Sequence, residues 1–298
     1  MTVIELIERS SARLAQAGVS FGHGTTNAFD EAAWLVMWRL GLPLHDLDAV
    51  AGQAVTAEQE AAANALIERR INSRQPAAYL TGEAWLQGLP FTVDARVIVP
   101  RSLIAEALTE GSIDPWLSNA TRHVLDLCTG NGSLAVLAAL AWPEVQVDAT
   151  DLSTDALAVA RINIDRHALT ERIKLLAGDG LAAVVGRRYD LILCNPPYVN
   201  SVAMAALPAE YLAEPALALA GGADGMDFIR GLLRAAPDHM SQGAVLVLEI
   251  GNEQAHFECA FPGLDVLWLS TSAGDEQVLL ATRAALADYL KNSPELTP

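Results

Sequence analysis

The chain has 298 residues, of which 52% are hydrophobic, and this is enough apolar material for one large domain or for a small domain and a medium one. No run of about 18 apolar residues occurs, so we expect no membrane span. Glu5 and Glu8 are acidic, so we expect no secretory signal. We therefore expect a cytoplasmic protein. A net charge of −17 disfavours direct nucleic-acid binding and would favour a basic partner, although it is also typical of soluble proteins in general. The three cysteines and six histidines show no ligand spacing, so no metal site is predicted.

Residues 1–74 are predicted to form a small helical domain. Thr2 and Glu5 have the spacing of a capping box, in which each side chain accepts a hydrogen bond from the other residue's backbone N–H, and Thr56 with Gln59 repeats it. Apolar spacing together with these caps predicts helices over about residues 2–18, 30–41 and 56–73.

Residues 75–101 are predicted to form a β-hairpin linker. Glycine and proline interrupt short apolar runs in this segment, and the runs at residues 91–93 and 96–99 are the strand candidates.

Residues 102–298 are predicted to form a Rossmann-like α/β domain. Strand and helix patterns alternate here, which is the signature of a doubly wound, mostly parallel sheet. The predicted strands are residues 124–127, 145–150, 173–176, 191–194 and 244–250, and the predicted helices are residues 133–141, 155–167 and 225–236. Two further strands, at residues 266–269 and 277–282, are expected to pair as an antiparallel edge.

A glycine loop leaves the first of these strands and enters a helix. Its candidate ligand-binding residues are Asp126, Cys128, Thr129, Gly130, Asn131 and Gly132. The two glycines allow a tight turn and a close approach of the backbone to a nucleotide-like ligand. Asp126 is placed to balance the positive groups of S-adenosylmethionine. Gly130, Gly132 and Ala135 also satisfy an NAD-binding pattern, so the loop alone leaves both ligands open.

Two acidic residues follow the next strands at the same sheet edge. Asp151 lies near the end of the second strand, where a carboxylate can accept hydrogen bonds from ribose hydroxyls. Asp179 follows the third strand and is placed to meet an adenine amino group, and a loop-capping role would explain it equally well.

The tetrapeptide Asn195-Pro196-Pro197-Tyr198 follows the fourth strand. Two prolines fix φ and remove two N–H donors, which leaves a rigid turn rich in acceptors. The Asn195 carboxamide oxygen and the Pro196 carbonyl can accept both hydrogens of an NH2 group and so aim its lone pair at a methyl donor. Tyr198 offers a flat face for a planar amide or base. The turn predicts methyl transfer to an amide or amino nitrogen, which a dehydrogenase would leave unexplained.

The glycine loop, the ribose acid and the NPPY turn occur in an order that resembles the Rossmann-like methyltransferases. Residues 75–101, which read QPAAYLTGEAWLQGLPFTVDARVIVPR, are similar to the HemK/PrmC and PrmB protein-glutamine methyltransferases, and the resemblance spans nearly the whole chain. It implies S-adenosyl-L-methionine as cofactor, a helical N-terminal domain that recognises a protein substrate, and a turn that receives a glutamine side chain. The cofactor contacts that it implies fall on Gly130, Gly132, Asp151 and Asn195, with Asp126, Cys128, Thr129 and Asn131 in the same loop and Asp179 and Gly180 at a further family position.

Two departures from the family pattern bear on the substrate and the loop. The release-factor branch continues PRPET, whereas this chain has Pro100-Arg101-Ser102-Leu103-Ile104, which is similar to PrmB. The resemblance therefore implies a glutamine of the large-subunit ribosomal protein L-three, a basic partner, ahead of release factors. The loop reads CTGNG where relatives often have GTGTG, which puts its fine contacts in question.

Two other functions stay open from the sequence. An amino-methyltransferase of a nucleobase in RNA or DNA would use the same turn, but it would need a basic channel. A catalytically silent scaffold for ribosome assembly is opposed by the intact Asn195.

The family resemblance also places Glu210, Glu214 and Pro215 in a segment expected to cover the substrate.

Overall fold

The computed structural model describes residues 1–292, so residues 293–298 of the predicted Rossmann-like domain lie outside the described part. The first helices are α1 (Val3–Gln16), α2 (Ala28–Leu40), α3 (Leu47–Val50), α4 (Ala57–Ser73) and α5 (Ala77–Thr81). The three predicted helices correspond to α1, α2 and α4, and both predicted capping boxes form. The apolar faces of these three helices pack together into one core cluster. The short helices α3 and α5 were not predicted.

A β-hairpin follows; the strand predicted at residues 91–93 overlaps its second strand, whereas the one predicted at residues 96–99 was wrong. Its strands are β1 (Glu83–Leu86) and β2 (Leu89–Thr92), and residues 96–99 form no strand. Gln87 and Gly88 both have positive φ, 49° and 74°, as a two-residue type I′ turn requires. This turn joins Leu86 directly to its partner Leu89 and fixes the register of the hairpin.

The remaining elements build a seven-stranded sheet with helices on both faces. They are α6 (Ile104–Thr109), β3 (His123–Leu127), α7 (Ser133–Ala141), β4 (Gln146–Asp151), α8 (Thr154–Arg166), β5 (Ile173–Ala177), β6 (Tyr189–Cys194), α9 (Ser201–Ala206), α10 (Ala209–Leu212), α11 (Asp227–Ala235), β7 (Met240–Glu249), α12 (Gln254–Ala260), β8 (Leu267–Thr271), β9 (Gly274–Thr282) and α13 (Arg283–Asn292). The predicted fold class is confirmed.

The strand order of the sheet is β5-β4-β3-β6-β7-β9-β8. Strands β3 to β7 run parallel, whereas β9 is antiparallel to both β7 and β8, which confirms the predicted edge. Alternate residues of β3, β6 and β7 enter two separate apolar clusters, one against α6 to α8 and the other against α11 to α13. No helix within residues 1–292 is long and apolar enough to cross a membrane.

The topology fixes where a ligand can bind. Strand β3 has β4 on one side and β6 on the other, so the chain reverses its direction of winding at β3. Ligands of open parallel sheets bind at such a point, outside the carboxyl ends of the strands. The predicted glycine loop follows β3, Asp151 is the last residue of β4, and the NPPY turn follows β6.

Candidate active site

A cavity opens at the carboxyl ends of β3 to β6. Seven predicted site residues line it, namely Cys128, Gly130, Asp151, Asp179, Gly180, Asn195 and Pro197. The structure thus brings the glycine loop, both acidic positions and the turn to one site. Six others, Asp126, Thr129, Asn131, Gly132, Pro196 and Tyr198, do not belong to the cavity lining.

The glycine loop is shaped by left-handed backbone at Cys128, Gly130 and Gly132, with φ of 61°, 55° and 82°. A Cβ on Gly132 would lie 3.2 Å from the Cβ of Ala160, so this glycine lets α7 pack closely on α8. A Cβ on Gly130 would meet nothing within 4 Å, because this residue faces the cavity. One glycine therefore serves packing and the other leaves space for a ligand.

Asp151 fastens the loop to the end of β4. Its Oδ2 accepts a hydrogen bond from the Gly130 N–H at 2.9 Å and its Oδ1 accepts one from the Ser153 N–H at 2.8 Å. Burial raises the pKa of Asp151, against the effect of these bonds. Since a carboxylate has about four acceptor positions, the half-buried group keeps capacity for the hydroxyls of a ligand.

Asp126 lies behind the loop and is fully buried. Its Oδ2 accepts hydrogen bonds from the Thr129 hydroxyl and, at 2.9 Å, from the Ala135 N–H. Its Oδ1 has no hydrogen-bond partner within the described chain. Burial raises the pKa of Asp126 to about 7. A buried carboxylate oxygen without a partner favours a cation nearby.

The NPPY turn begins directly after Cys194, the last residue of β6. The half-buried Asn195 side chain lines the cavity and forms no hydrogen bond with any other group of residues 1–292. Tyr198 is not part of the cavity lining; its side chain packs against the apolar cluster beside α11 to α13, and its hydroxyl donates a hydrogen bond to Glu249 Oε1 at 3.1 Å. Burial, and after it the Glu249 charge, raises the pKa of Tyr198.

The segment after the turn is held by buried ion pairs. Arg70 of α4 donates to Glu210 at 3.1 Å, and Arg74, directly after α4, donates to it at 2.6 and 3.0 Å. Arg101, between β2 and α6, donates two hydrogen bonds of 2.7 Å to Glu214. Pro215 and the residues after it form one wall of the cavity. Glu210 and Glu214 thus connect that wall to the N-terminal half of the chain.

Sequence reasoning missed several residues of this site. Leu152 and Phe228 line the cavity near Asp179 and Gly180 and supply apolar surface for a flat ring. Leu152 follows Asp151 directly and could have been found from its position, whereas Phe228 comes from α11 without a local motif. Glu249 ends a buried strand, and the sequence holds no local motif that marks it as part of the site.

Comparisons with known proteins agree with this geometry. A family model described as a methyltransferase small domain matches residues 107–248, and one described as the PrmC N-terminal domain matches residues 5–82. The hMettl16 catalytic domain, solved with an RNA hairpin, has a TM-score of 0.50 at 13% identity and covers 76% of this chain and 81% of that one, so it supports the fold alone.

Two relatives are much more similar. The ribosomal protein uL3 glutamine methyltransferase of Bordetella pertussis is 52% identical over 287 residues, or 96% of each chain. The protein of the same name from Burkholderia pseudomallei is 51% identical over 288 residues, or 94% of each chain. At such identity along nearly the whole length, the chain belongs to the family of the ribosomal protein uL3 glutamine methyltransferases.

Proposed function

We propose that the chain transfers a methyl group from S-adenosylmethionine to the side-chain amide nitrogen of a glutamine in ribosomal protein uL3. The observation that carries this proposal is the Asn195 carboxamide, which lines the cavity beside Gly130 and bonds to no other described group. An amide with its acceptor and donors unused is a suitable partner for a second amide. The names of the two relatives supply the substrate.

The residues in and behind the cavity fit this cofactor. We assign Asp151, in the lining, to its ribose hydroxyls, and the unpartnered Oδ1 of Asp126, behind the glycine loop, to the electrostatic balance of its cationic end. Asp179, with the apolar Leu152 and Phe228, would bound the adenine. When bound, S-adenosylmethionine supplies an electrophilic methyl group on a sulfonium.

The turn then orients the nucleophile. The Asn195 carboxamide oxygen and the Pro196 carbonyl each accept one hydrogen of the glutamine NH2 group. An amide nitrogen is a poor nucleophile because its lone pair is delocalised, and fixing both hydrogens favours a geometry in which that lone pair faces the methyl carbon. No side chain has to act as a base, since the nitrogen becomes acidic on alkylation and its proton leaves to solvent.

We propose that the three predicted segments of the chain have the separate roles that the sequence indicated. Residues 1–74 recognise the protein substrate, residues 75–101 connect, and residues 102–298 carry out the transfer. The two family models, which match residues 5–82 and 107–248, support this division. A cytoplasmic location is part of the proposal, and a ribosomal substrate supports it.

The direct test offers three substrates to the protein separately. Labelled S-adenosylmethionine is incubated with unmethylated uL3, with a release factor and with ribosomal RNA, and the label is located by peptide mass. We expect label on a glutamine of uL3, and loss of at least about 100-fold in rate for Asn195→Ala with cofactor binding retained. Label on RNA or on the release factor alone would contradict the proposed substrate, and an unchanged rate for Asn195→Ala would contradict its role.

A further inference from the structure

Tyr198 of the transfer turn is enclosed by three glycines. A Cβ on Gly251 would lie 2.5 Å from the Tyr198 ring, and one on Gly225 would lie 2.3 Å from the Tyr198 carbonyl oxygen. A Cβ on Gly221 would lie 2.7 Å from the Tyr198 Cα. Real Cβ atoms do not approach other atoms so closely, so each of these positions admits only glycine without movement. The ring and backbone of Tyr198 are therefore both confined.

The Tyr198 hydroxyl is bound by a carboxylate that is itself fixed from the other side. Glu249 is the last residue of β7 and is 4% exposed. Its Oε2 accepts hydrogen bonds from the Ser102 hydroxyl at 2.6 Å and from the Leu103 N–H at 2.9 Å. Its Oε1 accepts the bond from Tyr198. Since Ser102 and Leu103 hold the carboxylate independently of the turn, it can serve as a fixed point for the turn.

A second acidic residue holds the far side of the turn. Glu253, 6% exposed, accepts a hydrogen bond from Asn200 Nδ2 at 2.7 Å through its Oε1. The Asn200 side-chain oxygen in turn accepts two backbone N–H groups at the start of α9. The end of β7 fixes Tyr198, and the segment after β7 fixes Asn200, two residues further along the chain.

We propose that Glu249 is a positioning residue of the methyl transfer, acting through the Tyr198 hydroxyl, and this rests on the proposed function. Glu249 does not line the cavity. It fixes Tyr198, and Tyr198 is bonded to Pro197, so the carbonyl of Pro196 and the amide of Asn195 keep their places. Transfer requires reacting atoms to be held closely in line, and small displacements of such acceptors reduce the rate strongly.

The test compares two tyrosines that make the same kind of bond. Tyr198→Phe removes the bond to Glu249, and Tyr189→Phe removes a bond of 2.7 Å from a tyrosine hydroxyl to Asp148 at the start of the same strand, β6. We expect Tyr198→Phe to lower kcat by about 10- to 100-fold, with the Kd for S-adenosylmethionine changed less than about twofold. Tyr189→Phe should keep kcat within about threefold of wild type even where it lowers stability equally.

Glu249→Gln completes the experiment as a double-mutant cycle with Tyr198→Phe. If the two side chains act as one unit, the double variant loses no more activity than the worse single variant. Equal kcat for wild type and Tyr198→Phe, or additive losses in the double variant, would overturn the inference. So would a weakening of cofactor binding as large as the loss in kcat.

A readout without substrate separates this inference from the proposed function. Amide hydrogen exchange of the peptide that contains residues 195–200 should be faster in Tyr198→Phe than in wild type and unchanged in Tyr189→Phe. Wild-type protein that fails to label uL3 would refute the proposed function, while the exchange comparison still decides whether Glu249 fixes the turn. Unchanged exchange in Tyr198→Phe would refute the positioning role even in an active enzyme.

Discussion

Replacing Glu214 by glutamine should destabilise the protein strongly. The Glu214 side chain is fully buried and accepts two hydrogen bonds of 2.7 Å from Arg101 and one of 2.8 Å from the Val99 N–H. His23 Nε2 lies 3.4 Å from Glu214 Oε2, at ion-pair distance but without the alignment of a hydrogen bond. Glutamine keeps the shape and one acceptor, but it removes the charge.

The pKa gives the size of the loss. Burial by itself would raise the pKa of Glu214, but the contacts with His23 and Arg101 outweigh it and lower the pKa from 4.5 to about 2. Lowering the pKa of Glu214 from 4.5 to about 2 corresponds to roughly 3 kcal/mol of stabilisation. Because the folded pKa lies below the unfolded one, this stabilisation is present above pH 4.5 and is lost as the pH falls through about 2. The difference between wild type and Glu214→Gln should be roughly 3 kcal/mol at pH 7 and roughly 2 kcal/mol at pH 3.5.

Urea unfolding followed by tryptophan fluorescence at these two pH values measures both differences. Glu68→Gln is the matched control, since Glu68 pairs with Arg13 at the surface, where its side chain is 54% exposed. That variant should lose less than about 1 kcal/mol. The reasoning is refuted if Glu214→Gln costs no more than Glu68→Gln at pH 7, or if its cost does not decrease on acidification.

Three further changes test other parts of the structure. Asp151→Ala should raise the Kd for S-adenosylhomocysteine by about tenfold or more, because it releases the glycine loop, and calorimetry measures this. The pKa of Asp126 is raised to about 7, so its ionisation destabilises the folded protein as the pH rises. Between pH 5.5 and 8, the free energy of unfolding of wild type should therefore fall by roughly 2 kcal/mol more than that of Asp126→Asn, as measured by urea unfolding. Arg70→Met leaves the buried Glu31 without its cation and removes one of the ion pairs of Glu210. Chemical denaturation should show that this variant is less stable by about 3–5 kcal/mol, and the double variant Arg70→Met with Glu31→Met should regain part of that stability.

The local parts of the site could be predicted from the sequence. The glycine loop, Asp151 and Asn195 each follow a strand whose apolar pattern is readable, and parallel strands bring their carboxyl ends together. The hairpin was misplaced because its register depends on left-handed backbone at Gln87 and Gly88, and Gln87 is not a residue type that favours this conformation.

The supports of the site could not be predicted, because they join distant positions. Tyr198 and Glu249 are 51 residues apart, and Ser102 and Glu249 are 147 apart. A hydrogen bond between such positions leaves no periodicity in the sequence. Such a bond also requires burial, which only tertiary packing supplies. From the sequence alone, an acidic residue at the end of a strand that anchors a turn cannot be distinguished from one that faces solvent.

The buried acidic residues change what the net charge means. Six carboxylates within residues 1–292 are buried, namely Glu31, Asp126, Glu210, Glu214, Glu249 and Glu253, so part of the charge of −17 belongs to internal supports and not to the surface. Two of the six tie the cavity wall after α9 to the N-terminal half of the chain, Glu210 through α4 and Glu214 through Arg101. Breaking a buried pair by removing one partner costs several kcal/mol. Helix α4 and this wall of the cavity therefore keep one arrangement, so any displacement of α4 against the sheet has to move the wall with it.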